Sequence, residues 1–160
     1  MIDSQKKTIK WGIIGAGRIA RTFATDLQYA AHATLQGIAS RQADPAKAFA
    51  EEFSVPNYYG SYAAMLADPA IDAVYIATPH SHHRDQSIAA LNAGKHVLCE
   101  KPATVTGAEL EDVITVAKQQ GRYFMEGMWT YFMPVIEKTK RWVDEGRIGQ
   151  LCHVKADFGF

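Results

Sequence analysis

Apolar residues along the chain fall into two alternating rhythms: short β-rich runs, and longer stretches in which they recur every three or four positions. Residues 8–14 form the first short run, which ends in Gly15-Ala16-Gly17. From 18 to about 29, Ile19, Phe23 and Leu27 repeat at i, i+4 and i+8, which predicts a helix. A second run, 34–40, precedes Asp44-Pro45, a cap followed by proline at the first helical position, with Ala46, Phe49, Ala50 and Phe53 facing inward. A short helix at 62–66 should stop before Asp68-Pro69. The run 71–77 reads as a strand ending at Thr78-Pro79, where proline keeps Thr78 extended. Ser81 is placed to cap a helix to about Ala93, with Gly94 as its left-handed stop. Residues 96–100 form another strand, and Thr106-Gly107-Ala108-Glu109 has capping-box spacing for a helix that Gly121 ends. A strand at 122–126, a helix from about 133 to 144 and a strand over 151–160 complete the series.

Strand–helix units in succession imply right-handed crossovers and an α/β fold with a doubly wound, mostly parallel sheet. The rhythm loosens near 129–134, dividing a first domain, 1–130, from 131–160, a connecting helix and the first strand of an incomplete second α/β domain. That last strand carries Val154, Phe158 and Phe160 with nothing after it to pair with. The expectation is a truncated protein; the alternative is an edge strand of the first sheet. The same apolar strand predicts a homo-oligomer, most simply a dimer.

Composition narrows the function. A chain of 160 residues, 48% of them hydrophobic, can bury one substantial core. Seventeen Lys plus Arg balance seventeen Asp plus Glu, so no global field favours nucleic acid or anionic lipid. Cys99 and Cys152 lie outside any CxxC or Cys/His spacing, which argues against a disulfide scaffold or zinc site and for a reduced, cytoplasmic setting. No run approaches the roughly 18 apolar residues of a membrane span.

Gly15-Ala16-Gly17-Arg18-Ile19-Ala20 is a GxGxxA turn between a predicted strand and a helix. Gly15 permits the tight turn, Gly17 lets backbone approach a pyrophosphate, and Ala20 is small enough for close helix–sheet packing. The helix's first N–H groups and its positive end would face the phosphates. In this context the turn predicts dinucleotide binding. Sites specific for NAD carry an acid about 20 residues on, at the tip of the second strand. Here that tip reads Ser40-Arg41, which suits a 2′-phosphate: the hydroxyl donates a hydrogen bond and the guanidinium pairs with the charge. NADP is therefore favoured over NAD.

Cys99-Glu100-Lys101-Pro102 at a strand end, downstream of this turn, resembles the Gfo/Idh/MocA oxidoreductase family. Ala77-Thr78-Pro79-His80-Ser81-His82-His83 is similar to its TPxxxH stretch. Met125-Glu126-Gly127-Met128-Trp129-Thr130 resembles the branch holding dihydrodiol dehydrogenase, glucose–fructose oxidoreductase and xylose dehydrogenase. The resemblance implies a Rossmann domain followed by an α/β substrate domain. It places Lys101 beside the nicotinamide as the catalytic residue, polarising a carbonyl or helping remove an alcohol proton. It also implies cofactor contacts from Ala77, Thr78, Pro79, His80 and His83, with Glu100 either orienting Lys101 or contacting the nicotinamide ribose, and Pro102 fixing the turn. Trp129, with Tyr131 and Phe132, either covers the cofactor pocket or belongs to a satellite hydrophobic cluster.

The expected activity is NADP(H)-dependent interconversion of a secondary alcohol and a carbonyl on a sugar, polyol or dihydrodiol, the 160-residue chain alone turning over poorly. His80, His82 and His83 lack the neighbouring Cys or carboxylates of a metal site, so no metal is expected. The rival readings are a non-catalytic dinucleotide-binding module that senses redox state or regulates a partner, and a scaffold for another adenine ligand such as S-adenosylmethionine.

Overall fold

The computed structural model describes residues 7–157 and 159. They divide into two units, one running to Gly127 and one from Met128.

The first unit is built on six strands: β1 Ile9–Ile14, β2 Ala33–Ala39, β3 Asn57–Tyr59, β4 Ala73–Ile76, β5 His96–Cys99 and β6 Phe124–Glu126. Their order is β3-β2-β1-β4-β5-β6, and every neighbouring pair is parallel. Parallel strands covered on both sides carry continuous apolar runs. All four residues of β4 are buried, as are the last three of both β1 and β2.

The helices α1 Arg18–Leu27, α2 Ala43–Phe53, α3 Tyr62–Leu66, α4 His83–Asn92 and α5 Gly107–Gln120 link these strands. Side chains split into two clusters by the strand period of two. Ile13, Ile38 and Tyr75 meet Ala20 and Ala24 of α1 and Phe49 and Ala50 of α2. Ile14, Val74 and Ile76 meet Ala90 and Leu91 of α4, Val113 and Ala117 of α5, and Met65 of α3.

The structure departs from the sequence reading at three places. The strand β3 carried no prediction, because three residues between Pro56 and Gly60 are too few to show a period. Its signal was the aromatic pair Tyr58-Tyr59 at that spacing. A methyl on Gly37 would stand 2.9 Å from the Tyr59 ring, so glycine in β2 makes room for it. Second, α2 begins at Ala43 with Gln42 as an extended cap that offers no side-chain bond. Asp44 sits in the first turn instead, still favourable to the helix dipole, and Pro45 follows where N–H groups lack partners anyway. Third, Ser81 caps nothing: it lies in a tight 3-10 turn, His80–His82, and α4 starts after it. At α5 the cap forms as expected, Glu109 N donating to Thr106 Oγ1 at 3.2 Å, while Glu109 Oε2 accepts from Val105 N at 2.9 Å. Gly121 closes α5 at φ +59°.

Lys95 is buried just ahead of β5, and its ammonium donates to the carbonyls of Asp68 at 2.6 Å and Ile71 at 2.9 Å. Burial holds it below the usual lysine range.

The second unit contains a 3-10 turn, Trp129–Phe132, and α6 Pro134–Asp144 with proline at its start. The strand expected over 151–160 is not formed at 151–157, where every residue is exposed and without regular structure. A strand exists through its ladder of hydrogen bonds, and among the described residues no segment pairs with this one. Phe158 and Phe160, which that expectation also used, lie outside the described residues.

Burial pushes the Cys99 thiol up to about 12, whereas Cys152 is exposed. Iodoacetamide at pH 8 should therefore label Cys152 and spare Cys99 until denaturant unfolds the first unit, because a thiol far below its pKa supplies almost no thiolate. Mass spectrometry of the labelled peptides reads this directly; early labelling of Cys99 would contradict its burial.

Candidate functional site

Strands β1 and β4 are neighbours, but their chains leave in opposite directions, to α1 on one face and α4 on the other. In open α/β sheets this divergence opens a crevice at the carboxyl ends of the strands. A cleft of about 280 Å³ lies there, walled by the β1–α1 turn, the tip of β2, the start of α3 and the segment after β4.

The glycines of the turn have different tasks. Gly15 is buried at φ +99°, and a methyl on it would come within 3.0 Å of the Ala77 carbonyl oxygen. Its N–H donates to Ala39 O at 2.9 Å, and Ala77 N donates to Ile14 O at 2.9 Å, which ties the turn to both neighbouring strands. A methyl on Gly17 would meet nothing within 4 Å. Gly17 is the extended cap of α1, no side chain bonds that end, and the first turn holds no acid. The first N–H groups of α1 therefore stay available to an anion beside an exposed glycine. Ala16 lines the cleft with both glycines, and Ala20 is fully buried against the sheet, as its small size predicted.

Arg21, a turn further along α1, donates from its guanidinium to Ala16 O at 2.7 Å and from Nε to Glu52 Oε2 of α2 at 3.0 Å. It also lies over the Phe49 ring, 5.3 Å from the centroid. The loop is thus held by a cation that itself rests on an aromatic face. Sequence reasoning missed Arg21, which had no signal beyond its i+4 distance from Gly17.

Ser40 and Arg41, at the tip of β2, line the cleft with Tyr62. Ser40 N donates to Tyr59 O at 3.1 Å, so the edge strand fixes this tip. Burial raises the Tyr62 phenol, and the Arg41 guanidinium works against that rise. Tyr62 was read only as part of a helix; its place two residues beyond Gly60 was the available clue. Asp44 is not among the lining residues.

Ala77, Thr78 and Pro79 form the opposite wall, with His82 and Gln86. Thr78 Oγ1 donates to Gln86 Oε1 at 2.5 Å. The three histidines take different places. His80 is exposed and outside the lining, whereas His82 takes part in it. His83 is 1% exposed, with Nε2 at 2.8 Å from Thr78 O and Nδ1 at 2.8 Å from Pro102 O. Each ring nitrogen faces a backbone carbonyl oxygen, and whichever carries the proton donates, so the ring lies wedged between two loops. Arg18 and Ile19 are exposed in the first turn of α1 and are not among the residues that line the cleft.

Glu100 and Lys101 follow β5, beside the end of β4, and Glu100 N donates to Ile76 O at 3.0 Å. Lys101 is exposed, and the Lys101–Pro102 peptide is cis. Ala103 N donates to Glu126 Oε1 at 2.8 Å, and Gly127 N to Cys99 O at 2.6 Å, so β6 backs the turn. Trp129 belongs to the second unit and is 56% exposed. Among the described residues no three His, Cys, Asp or Glu side chains gather in a metal-binding group.

A six-stranded parallel sheet in this order, with a GxGxxA turn at its divergence point, defines a dinucleotide-binding Rossmann domain. The chain belongs to the Gfo/Idh/MocA oxidoreductase family: that family's profile, described as an oxidoreductase family with an NAD-binding Rossmann fold, matches residues 9–128. The mouse trans-1,2-dihydrobenzene-1,2-diol dehydrogenase is 39% identical over 154 residues, 95% of this chain and 46% of that protein. A crystal structure of scyllo-inositol dehydrogenase from Lactobacillus casei with bound cofactor NAD(H) and scyllo-inositol has a TM-score of 0.82 at 34% identity, covering 89% of this chain and 43% of that one. An NAD-binding oxidoreductase from Klebsiella pneumoniae has a TM-score of 0.84 at 27% identity, covering 89% of this chain and 40% of that one. The chain spans about half the length of the curated relatives it matches.

The two glycines should respond differently to alanine. Gly15→Ala forces a methyl into a positive-φ site against backbone and costs about 1–3 kcal/mol. Gly17→Ala loses only a little at the helix cap, about 0.5 kcal/mol. Urea titration of both variants measures the difference; the reverse order would contradict the placement of the turn.

Proposed function

We propose that this chain is the NADP(H)-binding part of an oxidoreductase that interconverts a secondary alcohol and a carbonyl on a sugar, polyol or dihydrodiol. The observation that carries the reading is the cleft itself. Its glycine turn leaves open space and unpaired N–H groups at one point, and a Ser–Arg pair stands in place of an acid at the other. That donor set suits a diphosphate and a 2′-phosphate together. In this reading Gly15, Ala16, Gly17, Arg18 and Ile19 hold the diphosphate, Ser40 and Arg41 hold the 2′-phosphate, and 1–130 is the coenzyme domain. Residues 131–160 lead toward a second domain.

The nicotinamide ring, when bound, supplies or accepts the hydride. The residues of the chain bind, orient and handle the proton. Lys101 is the catalytic residue of the proposal: its ammonium can hydrogen-bond the substrate oxygen and hold the proton exchanged there. Glu100 orients the turn and faces the nicotinamide half, and Ala77, Thr78 and Pro79 form the wall against it. The mouse relative's name points to a dihydrodiol and the bacterial structure's to an inositol; both are cyclic vicinal diols, which supports a substrate of the polyol or dihydrodiol kind.

Unpaired thiols, one of them exposed, fit a reducing compartment such as the cytoplasm. Exposed Trp129, Phe132, Val135 and Ile136 of the second unit favour self-association in place of the strand once expected to carry it. Sedimentation at micromolar concentration should show a dimer, and a monomer throughout would refute this part of the proposal.

Titration with NADPH and NADH tests the main reading. Arg41→Ala should weaken NADPH by about tenfold or more, the worth of a charged hydrogen bond, and leave NADH nearly unchanged. Equal losses for both coenzymes, or tighter binding of NADH than of NADPH by the unaltered chain, would count against the phosphate assignment.

A further inference from the structure

Tyr75 stands in the middle of β4 with its ring 3% exposed. It stacks on Phe23 of α1 at 3.8 Å and 12°, and Phe23 meets Trp11 of β1 edge-on at 5.6 Å. Packing of this kind needs only a phenylalanine. What tyrosine adds is one hydroxyl, and it donates to Glu100 Oε1 at 2.5 Å, beyond the end of the next strand.

The register explains the reach. Tyr75 pairs with Leu98, and Leu98 packs in the same cluster as Tyr75. Glu100, two residues on, therefore points to the α1 face of the sheet. Its second oxygen accepts from Lys101 N at 3.2 Å. One carboxylate oxygen is thus taken by a buried phenol and the other by the amide of the next residue, which removes the rotamer freedom of a half-buried glutamate at a strand end. Burial first, then the bond to Glu100 and its charge, raise the Tyr75 phenol well above its ordinary value, so the hydroxyl remains a donor at any working pH.

We infer that Tyr75 is the positioning residue of the Glu100–Lys101 turn, presetting the Glu100 carboxylate for the nicotinamide half of the coenzyme. The inference rests on the coenzyme reading above. Its consequence is confined to one end of the ligand, because a group already held in place adds no ordering cost on binding.

The test compares two ligands on the whole 160-residue chain by calorimetric titration: NADPH, and adenosine 2′,5′-bisphosphate, which has only the adenosine half. Tyr75→Phe keeps the stacked ring and removes the hydroxyl. NADPH should bind about tenfold more weakly, and the bisphosphate within about twofold of the unaltered chain. Glu100→Gln should reproduce the selective loss, and adding Tyr75→Phe to it should cost less than about twofold more, because residues acting through one contact are not additive. This second variant carries the comparison should the first not fold. Equal losses for both ligands, an unchanged NADPH affinity in Tyr75→Phe, or additive losses in the double variant would each overturn the inference. An unaltered chain that binds neither ligand defeats the coenzyme reading itself, a result distinct from these three.

Discussion

The close approach of two backbones, Gly15 against Ala77, governs the rest of the molecule. It occurs where β1 and β4 end side by side and their helices part to opposite faces. Only a residue without a side chain fits there, because φ is positive and a Cβ would stand 3.0 Å from that carbonyl oxygen. The tight turn brings α1 up immediately, with its open end toward the crevice and Ala20 pressed onto the sheet. Parallel pairing of β1 with both β2 and β4 then supplies the walls. Without that contact, the helix end and the tip of β2 would not converge on one space.

Around this point the fold uses long polar side chains as ties between loops. Arg21 joins the glycine turn to α2, His83 joins the segment after β4 to Pro102, and Glu126 holds the amide of Ala103. Each is at least partly withdrawn from solvent and bonded to backbone, the arrangement in which a polar contact also restrains the chain. A cleft assembled from strand ends and short loops needs such restraint, because loops lack the mutual support of a ladder.

Much of the fold was legible because its signals are local. Glycine at 15, proline after Thr78, the Thr106–Glu109 spacing and the apolar runs of the buried strands each act within a few residues. The family resemblance likewise rested on short stretches at strand ends. What escaped was decided at a distance. Nothing near Asn57 announces that Tyr59 will pair with Ala39, and the period of α4 does not say that His83 faces Pro102 while His82 faces the cleft. Arg21 and Tyr62 gained their places from neighbours 31 and 21 positions away, Glu52 and Arg41. The strand foreseen over 151–160 is absent at 151–157 for the same reason: apolar content marks a candidate, but a ladder needs a second segment.

The tip of β2 is anchored through Ser40 to Tyr59 in the edge strand, whereas Glu100 is anchored through Tyr75 to the centre of the sheet. These supports share no residue. A substitution that loosens one end of the crevice therefore leaves the support of the other intact, and the two ends can be remodelled one at a time.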